Sequence, residues 1–306
     1  LRPMSQTQIL DGKATALAIR LEVAGATAKL KAHGVQPGLV VILVGEDPAS
    51  QVYVRNKDRA ATGAGFAVST IRLPDSVAQA DLEAEVLKLN QDPLVHGILV
   101  QLPLPKGLDA GAVVECLDPA KDVDGLSPRS VAAWTLGRPG HKPCTPAGCI
   151  ELLDRYGMDI SGQHMVIVGR SMLVGKPLSA LALARNATVT VCHSRTQDLA
   201  EHCRQADIVV AAVGRAKLIQ GDWVREGAIV LDVGINRGDD GKLVGDADQA
   251  QMMGRVAAIT PVPGGIGPMT IAMLIKNTFH SAAHSVGVDP EVLLTEAAAC
   301  TPGAGT

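Results

Sequence analysis

Strand-like segments alternate with helical patterns along the first part of the chain. Strands are predicted over residues 40–44, 68–73 and 97–102, with helices over residues 48–63 and 76–89 between them. Because this alternation uses apolar runs in place of strict period-two patterning, it indicates a parallel sheet covered on both faces. The carboxyl ends of such strands form the ligand crevice of the sheet.

The second part of the chain repeats the alternation after a stretch rich in glycine and proline. Residues 137–146 form this stretch and are our candidate linker. The predicted strands that follow cover residues 165–168, 188–192, 207–213 and 228–232. Each ends in glycine or in a polar cluster, which is typical of a nucleotide-binding α/β domain. A glycine-proline loop over residues 261–270 then leads into C-terminal helices.

The connection after the strand at residues 165–168 has the form of a phosphate-binding turn. The strand reaches Gly169, and Gly175 and Pro177 open a helix whose free N–H groups would meet an anion. A Walker A loop is disfavoured by its spacing and by Pro177, which occupies the place of the magnesium-binding hydroxyl. The ordinary dinucleotide fingerprint also fails, because Ser171 replaces its second glycine. Two interpretations remain: a dinucleotide site with a non-standard motif, or a plain strand-to-helix connection.

The residues after the next strand distinguish between the two common dinucleotides. An NAD site places a carboxylate there for the ribose 2′-hydroxyl. This chain instead offers His193-Ser194-Arg195-Thr196. Ser194, Arg195 and the nearby Arg170 would attract a 2′-phosphate. We therefore predict NADP as the cofactor; a solvated loop cation is the alternative for Arg195.

Composition narrows the class of protein. Of 306 residues, 47% are hydrophobic and 19% charged, and the net charge is −3, so a large core can form. No basic run interleaved with aromatics is present, which argues against a nucleic-acid partner, and no apolar run approaches a membrane span. Six scattered cysteines without a C-x-x-C pair indicate a cytoplasmic protein with reduced thiols. No metal site is predicted.

Candidate catalytic groups lie near the strand ends of the first part. Tyr53 and Lys57 are four positions apart on the helix after the first strand, so they share a face. Gln101 lies at another strand end and Asp124 in a loop. A lysine, a tyrosine, an amide and an acid in one crevice can bind a planar nitrogen heterocycle and transfer its protons. A solvated Lys57 and a packing role for Tyr53 are the alternatives.

Six motifs in order give the chain a family resemblance. They occupy residues 48–57, 97–105, 121–126, 143–146, 168–171 and 261–270. In these stretches, and over essentially its whole length, the chain resembles the bifunctional methylenetetrahydrofolate dehydrogenase/methenyltetrahydrofolate cyclohydrolase family. The resemblance implies that 5,10-methylenetetrahydrofolate is oxidised with NADP⁺ to the methenyl form, which is then hydrolysed to 10-formyltetrahydrofolate.

The resemblance also assigns site residues. It implies that Lys57 is critical for hydrolysis, that Gln101 pairs with Lys57, that Tyr53 packs on the folate rings and that Asp124 bonds the pterin edge. The full set of implied catalytic and substrate-binding residues is Tyr53, Lys57, Val100, Gln101, Leu102, Asp124, Pro263, Gly264 and Gly265. The predicted cofactor-binding residues are Gly169, Arg170, Ser171, Ser194, Arg195, Gly214, Ile235 and Thr270.

The expected architecture is α/β with two domains. A folate-binding catalytic domain with a parallel sheet would comprise residues 1–144 and 267–306, with the C-terminal helices packing back on it. A Rossmann-like NADP-binding domain would comprise residues 145–266, and a homodimer is inferred. The alternatives are a monofunctional dehydrogenase of the same family, an unrelated two-domain NADP oxidoreductase of the shikimate dehydrogenase type, and a catalytically silent folate- or NADP-binding protein.

Overall fold

A computed structural model of the chain describes residues 6–238 and 240–299. Its strands are short, and most are parallel to their neighbours. In chain order they are β1 (Gln8–Ile9), β2 (Gly38–Val44), β3 (Ala67–Leu73), β4 (Gly97–Val100), β5 (His164–Val168), β6 (Thr188–Cys192), β7 (Ile208–Ala211), β8 (Ile229–Asp232), β9 (Asn236–Arg237), β10 (Leu243–Val244) and β11 (Ala258–Ile259).

The helices range from a single turn to twenty residues. In chain order they are α1 (Gly12–Lys31), α2 (Pro48–Gly63), α3 (Gln79–Gln91), α4 (Ala110–Glu115), α5 (Pro128–Thr135), α6 (Cys144–Arg155), α7 (Gly175–Leu183), α8 (Leu199–Arg204), α9 (Gln249–Met252), α10 (Ile266–Ser285) and α11 (Pro290–Ala299), with a 3₁₀ turn at Gly221–Trp223.

Backbone contacts divide the described chain into two compact units. The three-stranded unit comprises Leu17–Cys144 and the described residues from Ile271 onward. Its sheet has the order β3-β2-β4, all parallel. Every residue of β2 is buried, as expected for a central strand covered on both faces. Helix α11 and most of α10 belong to this unit. In α10, for example, the side-chain amide of Asn277 donates to the carbonyl of Val123 (2.8 Å).

The six-stranded unit comprises the described residues up to Ala16 together with Thr145–Thr270. Its parallel sheet has the order β1-β11-β8-β7-β5-β6. The buried strands β5, β7 and β8 form its centre, and β9 and β10 make a separate antiparallel pair. An apolar cluster including Val166, Val209 and Val230 lies under the sheet. This is the fold of a nucleotide-binding domain, with ligands expected where the parallel strands end.

Most predicted elements are present, with shifted ends that have local causes. Helix α3 begins at Gln79 and not at Ser76, because the N–H of Val77 closes a turn onto the carbonyl of Pro74 (3.1 Å). Strand β4 ends at Val100, since the following segment contains prolines at 103 and 105, which have no N–H to donate to a ladder. The short strands β1, β9, β10 and β11 were not predicted.

Two further observations concern helix hydrophobicity and the cysteines. Within residues 6–238 and 240–299, no helix combines the length and the apolar character needed to cross a membrane. The cysteines of the described chain, at positions 116, 144, 149, 192 and 203, are free thiols, and all but Cys116 are buried.

Candidate active site

Helix α2 presents Tyr53 and Lys57 on one face of the three-stranded unit. The helix begins at Pro48, directly after Asp47, whose carboxylate accepts a hydrogen bond from the N–H of Ser50 (2.7 Å). This cap fixes the start of the helix just beyond the carboxyl end of β2. Tyr53 is 44% exposed, which allows its ring to stack on a ligand, whereas Lys57 is half-buried.

The side chain of Lys57 meets Gln101. The ammonium donates to Oε1 of Gln101 over 3.0 Å. The backbone N–H of Gln101 extends the sheet by donating to the carbonyl of Ile42 (2.9 Å), and its own Nε2 donates to the carbonyl of Leu102 (2.6 Å). Because the amide nitrogen is held by Leu102, the amide oxygen is turned towards the lysine. The pairing of Gln101 with Lys57 that the resemblance implies is therefore present.

Asp124 lies in a loop that buried polar contacts hold in place. Its neighbour Asp122 is completely buried and accepts hydrogen bonds from the N–H groups of Leu126 (3.3 Å) and Ser127 (2.7 Å). Gly125 has a φ of +66°, and a Cβ there would lie 2.9 Å from the carbonyl oxygen of His141. The chain can therefore turn sharply after Asp124 only with glycine at this position.

Burial changes the acid-base properties of both groups. Loss of water lowers the pKa of Lys57 below its usual 10.5, and attraction by Asp124 and Asp58 opposes this shift. Loss of water raises the pKa of Asp124 above its usual 3.8, and attraction by Lys57 opposes it. Each group thus loses part of its preference for the charged form. A lysine in such a site can exchange a proton with a ligand.

Cys144 is a member of this cluster that the sequence did not assign to the site. Cys144 is 1% exposed, and its thiol donates to the carbonyl of Val123 (3.3 Å) and lies close to the carboxyl of Asp124. Burial, followed by the negative charge of Asp124, raises the pKa of the thiol well above its usual 9.0, so the thiol stays protonated as a donor. The motif at residues 143–146 was the available signal, but spacing alone gave no reason to connect it with Asp124.

Val100 and Leu102 contribute differently. The side chain of Val100 is buried in the apolar cluster beneath the sheet, and Leu102 packs partly against the same cluster. A substrate contact with Val100 would therefore involve its backbone.

In the six-stranded unit, the turn after β5 is closely packed. Gly169 has a φ of +131°, and a Cβ there would collide with the carbonyl oxygen of Ala212. A Cβ on Gly175 would collide with the carbonyl oxygen of Gly169. The hydroxyl of Ser171 accepts from the N–H of Val174 (3.1 Å) and shapes the loop into the start of α7. The turn brings the helix N-terminus close to the end of the strand, as anion binding requires.

The segment after β6 forms a compact turn without a carboxylate. The N–H of His193 donates to the hydroxyl of Thr196 (2.9 Å), and the N–H of Arg195 donates to Nδ1 of His193 (3.2 Å). Ser194 and Arg195 are exposed on this turn, and Arg170 is exposed at the end of β5, the neighbouring strand. The arrangement is chemically suited to a phosphate on the ribose.

Two further predicted cofactor residues follow β7 and β8. Gly214 is exposed with a φ of +66°, and Ile235 is 45% exposed. Both segments are hydrogen-bonded to the buried side chain of Asp246, through the N–H of Gly214 (2.8 Å) and the side-chain amide of Asn236 (2.9 Å). The sequence gave no indication of this role for Asp246.

The glycine-proline loop encloses a small cavity of about 140 Å³. Pro263, Gly264 and Gly265 line it together with Ile235. A Cβ on Gly265 would lie 2.6 Å from the carbonyl oxygen of Pro261, so this backbone is packed too closely for any side chain. The predicted substrate loop and one predicted cofactor residue thus share a pocket within the six-stranded unit.

The remaining predicted residue, Thr270, is partly buried. Its hydroxyl is 2.9 Å from that of Thr145 and 3.3 Å from the carbonyl of Ile266. In the part of the chain that the structure describes, no group of three or more His, Cys, Asp or Glu side chains is arranged to hold a metal ion.

Family models match both parts of the chain. Residues 10–124 match the tetrahydrofolate dehydrogenase/cyclohydrolase catalytic domain, and residues 143–286 match the NAD(P)-binding domain of the same family. The chain belongs to the tetrahydrofolate dehydrogenase/cyclohydrolase family. The resemblance seen in the sequence is therefore confirmed.

Similar proteins support the same assignment over nearly the whole chain. The bifunctional protein FolD of Acidiphilium cryptum is 58% identical over 276 residues, covering 90% of this chain and 98% of that protein. The crystal structure of the bifunctional enzyme FolD, a methylenetetrahydrofolate dehydrogenase/cyclohydrolase from Campylobacter jejuni, is 45% identical with a TM-score of 0.90, covering 91% of this chain and 99% of that one.

A third similar structure was determined with ligands. It is the methylenetetrahydrofolate dehydrogenase-cyclohydrolase (FolD) of Trypanosoma brucei in complex with NADP cofactor and inhibitor, 40% identical with a TM-score of 0.88, covering 93% of this chain and all of that one. The predicted fold class, two α/β domains with parallel sheets, one of them binding NAD(P), is confirmed. The chain is therefore an enzyme with a dehydrogenase and a cyclohydrolase activity.

Proposed function

We propose that this enzyme oxidises 5,10-methylenetetrahydrofolate with NADP⁺ and hydrolyses the methenyl product to 10-formyltetrahydrofolate. The observation that carries the proposal is the contact between Lys57 and Gln101, 3.0 Å, in a half-buried site next to Asp124. Oxidation alone needs no such proton-transfer group, since the ring nitrogen lone pair stabilises the cation formed. Hydrolysis needs one, because the attacking water must lose a proton.

The residues of the six-stranded unit suit NADP. The lack of side chains at Gly169 and Gly175 lets the turn after β5 pack tightly, so that the start of α7, where a pyrophosphate can bind, lies close to the strand end. Arg170 and Arg195 supply positive charge, and the turn after β6 contains no carboxylate that would repel a 2′-phosphate. When bound, NADP⁺ accepts the hydride from the one-carbon bridge of the folate. The T. brucei relative was crystallised with this cofactor.

The chain's own groups bind and orient the folate. Tyr53 stacks on the ring system, and Asp124 accepts hydrogen bonds from the amino and ring N–H groups of the pterin edge. Cys144 lies against the carboxyl of Asp124. The backbone at Pro263, Gly264 and Gly265 approaches the ligand closely because side chains are absent or small.

Lys57 then accepts the proton that water loses during hydrolysis. In its neutral form the amine donates one N–H to Gln101 and has a lone pair free for the water that attacks the methenyl carbon. Water adds to this carbon and gives one proton to Lys57. The hydroxyl oxygen of the adduct then loses its remaining proton and forms the carbonyl double bond, while the bond between the carbon and N5 breaks with its electron pair staying on N5, and N5 takes a proton. The formyl group remains on N10, and one proton is released overall.

We also propose the domain division expected from the sequence, a catalytic domain of residues 1–144 and 267–306 and an NADP-binding domain of residues 145–266, except that residues 6–16 are part of the six-stranded unit, where β1 pairs with β11. A homodimer, as the resemblance implies, is tested by the mass of the enzyme in solution. The scattered cysteines are the basis for placing the enzyme in the cytoplasm.

A monofunctional dehydrogenase is the alternative, and one assay separates the two. Purified enzyme is mixed with methylenetetrahydrofolate and NADP⁺, and NADPH formation and methenyl decay are followed together. We expect NADPH to form while the methenyl compound is converted to the formyl compound faster than in buffer alone. Decay of the methenyl compound at the rate of buffer alone would favour the monofunctional enzyme, and absence of NADPH formation would exclude both.

A further inference from the structure

Asp246 is a buried carboxylate surrounded by N–H donors. It has no exposed surface. Its Oδ2 accepts from the backbone N–H groups of Val213 (2.6 Å) and Gly214 (2.8 Å), and its Oδ1 from that of Arg215 (2.8 Å) and from the side-chain amide of Asn236 (2.9 Å). Each oxygen thus takes two donors, which is the capacity of an ionised carboxylate.

These donors belong to two segments at the ligand-binding edge of the sheet, the loop after β7 and the start of β9. Residues 213–215 follow β7 and contain Gly214, whereas Asn236 follows Ile235 beyond β8. Gly214 and Ile235 are both proposed cofactor-binding residues. A single side chain therefore sets the spacing of two segments that would contact NADP.

Asp246 is itself fixed by a second buried acid, Asp232, at the end of β8. Asp232 accepts from the N–H groups of Gly234 (3.0 Å), Asp246 (2.9 Å) and Ala247 (2.8 Å). A Cβ on Gly245 would collide with the Asp232 carboxylate, so the segment carrying Asp246 passes directly over it. The position of Asp246 is therefore tied to the end of the central sheet.

We propose that Asp246 is a positioning residue for NADP, which holds the loop at residues 213–215 and the segment around Ile235 in the arrangement that the cofactor requires. The inference rests on the proposed function, because the cofactor roles of Gly214 and Ile235 belong to it. Asp246 does not touch the cofactor; it acts through the backbone of one loop and through Asn236.

The variant Asp246→Asn tests this role with little change of shape. An amide presents an NH₂ group to two donors that need an acceptor, so two contacts are replaced by repulsion. We expect the Kd of NADP⁺, measured by calorimetry, and its KM to rise at least about tenfold. We expect kcat at saturating NADP⁺, and the cyclohydrolase rate measured on methenyltetrahydrofolate without NADP⁺, to stay within about threefold of the unchanged enzyme, a difference below 1 kcal/mol.

Two companion variants keep the test decisive. Asp248→Asn is the matched control. The carboxylate of Asp248, which precedes α9, accepts only from the side chain of Gln251 (2.9 Å) among the contacts described, so this variant should leave NADP⁺ binding unchanged. Asn236→Ala removes one donor and leaves the three backbone contacts of Asp246. It should raise the Kd of NADP⁺ about threefold and decides the question if Asp246→Asn does not fold.

The inference is overturned if NADP⁺ binds Asn236→Ala and any folded Asp246→Asn enzyme with unchanged Kd, or if both activities fall in the same proportion. If the unchanged enzyme itself neither binds nor reduces NADP⁺, it is the proposed function that fails. The two failures are therefore distinguishable.

Discussion

The ammonium of Lys57 is the residue-scale feature on which the proposed hydrolysis depends. Burial favours its neutral form, while Asp124 opposes this preference by attraction. Gln101 accepts one N–H from the amine over 3.0 Å, so the direction of the lone pair is constrained. The lysine is thereby set up to take a proton and return it.

This electrostatic setting predicts a pH dependence. If neutral Lys57 is the reactive form, the cyclohydrolase rate rises with pH and levels off above the pKa of the lysine, which lies below the usual 10.5. Measuring the rate of methenyl hydrolysis above that of buffer as a function of pH checks this. A rate that does not change with pH at values below the lysine's usual pKa of 10.5 would exclude a proton transfer by Lys57.

Asp124→Ala is expected to weaken folate binding in both reactions. The carboxylate supplies charge-assisted hydrogen bonds to the pterin, so its loss should raise the folate KM about tenfold or more. Asp81→Ala, which removes an exposed carboxylate from α3, is the control. An unchanged folate KM for both activities of Asp124→Ala would contradict the role given to this acid.

How far sequence predicts the site differs from residue to residue. Lys57, Tyr53 and Gln101 were identifiable because each follows a strand end, and parallel strands present these ends at one edge. Cys144 and Asp246 were not, because each acts through contacts with residues distant in the chain. Asp246 lies 33 positions from Val213, and no periodicity connects them.

At the scale of elements, the junction of β5 and α7 determines how closely a phosphate can approach the helix. Gly169→Ala would place a methyl group against the carbonyl of Ala212 at a φ of +131°. We expect a loss of NADP⁺ binding of at least about tenfold, with methenyl hydrolysis retained. The Kd of NADP⁺ and the cyclohydrolase rate are the measurements.

Gly162→Ala is the matched control for this change. Gly162 precedes β5 and has a φ of +74°, but a Cβ there meets nothing within 4 Å. It introduces backbone strain without a collision and should leave NADP⁺ affinity nearly unchanged. Equal losses of affinity in both variants would show that strain, and not the shape of the turn, accounts for the effect of Gly169→Ala.

Elements differed in how well the sequence predicted them. Helix α2 was predicted with its bounds, because Asp47 and Pro48 form a cap and a first turn that act locally. Strands β9, β10 and β11 have two residues each, too few for any periodicity to show. Their existence depends on pairing with distant segments, as β11 does with β8.

At the scale of the whole molecule, the buried acid Asp232 links stability to pH. Burial, together with the charge of Asp246, raises its pKa from 3.8 to about 6, against the effect of three backbone N–H donors. Between these two pH values the folded protein holds a proton that the unfolded chain has released. This contribution to the free energy of unfolding is full below about pH 4 and is lost as the pH rises through about 6.

Asp232→Asn should therefore remove a pH-dependent part of stability, at most about 3 kcal/mol. Denaturant unfolding of both proteins at several values across this range gives the comparison. Relative to the variant, the unchanged protein should gain stability as the pH falls from about 6 to about 4. Parallel curves for the two proteins would mean that Asp232 does not titrate in this range.

The central claim is that one chain performs both reactions and that Lys57 is needed for only one of them. The most direct measurement is the pair of activities of Lys57→Met, with Arg55→Met on an exposed position of the same helix as control. We expect Lys57→Met to lose cyclohydrolase activity while still reducing NADP⁺ with methylenetetrahydrofolate, and Arg55→Met to keep both. Retention of full cyclohydrolase activity by Lys57→Met would contradict the claim.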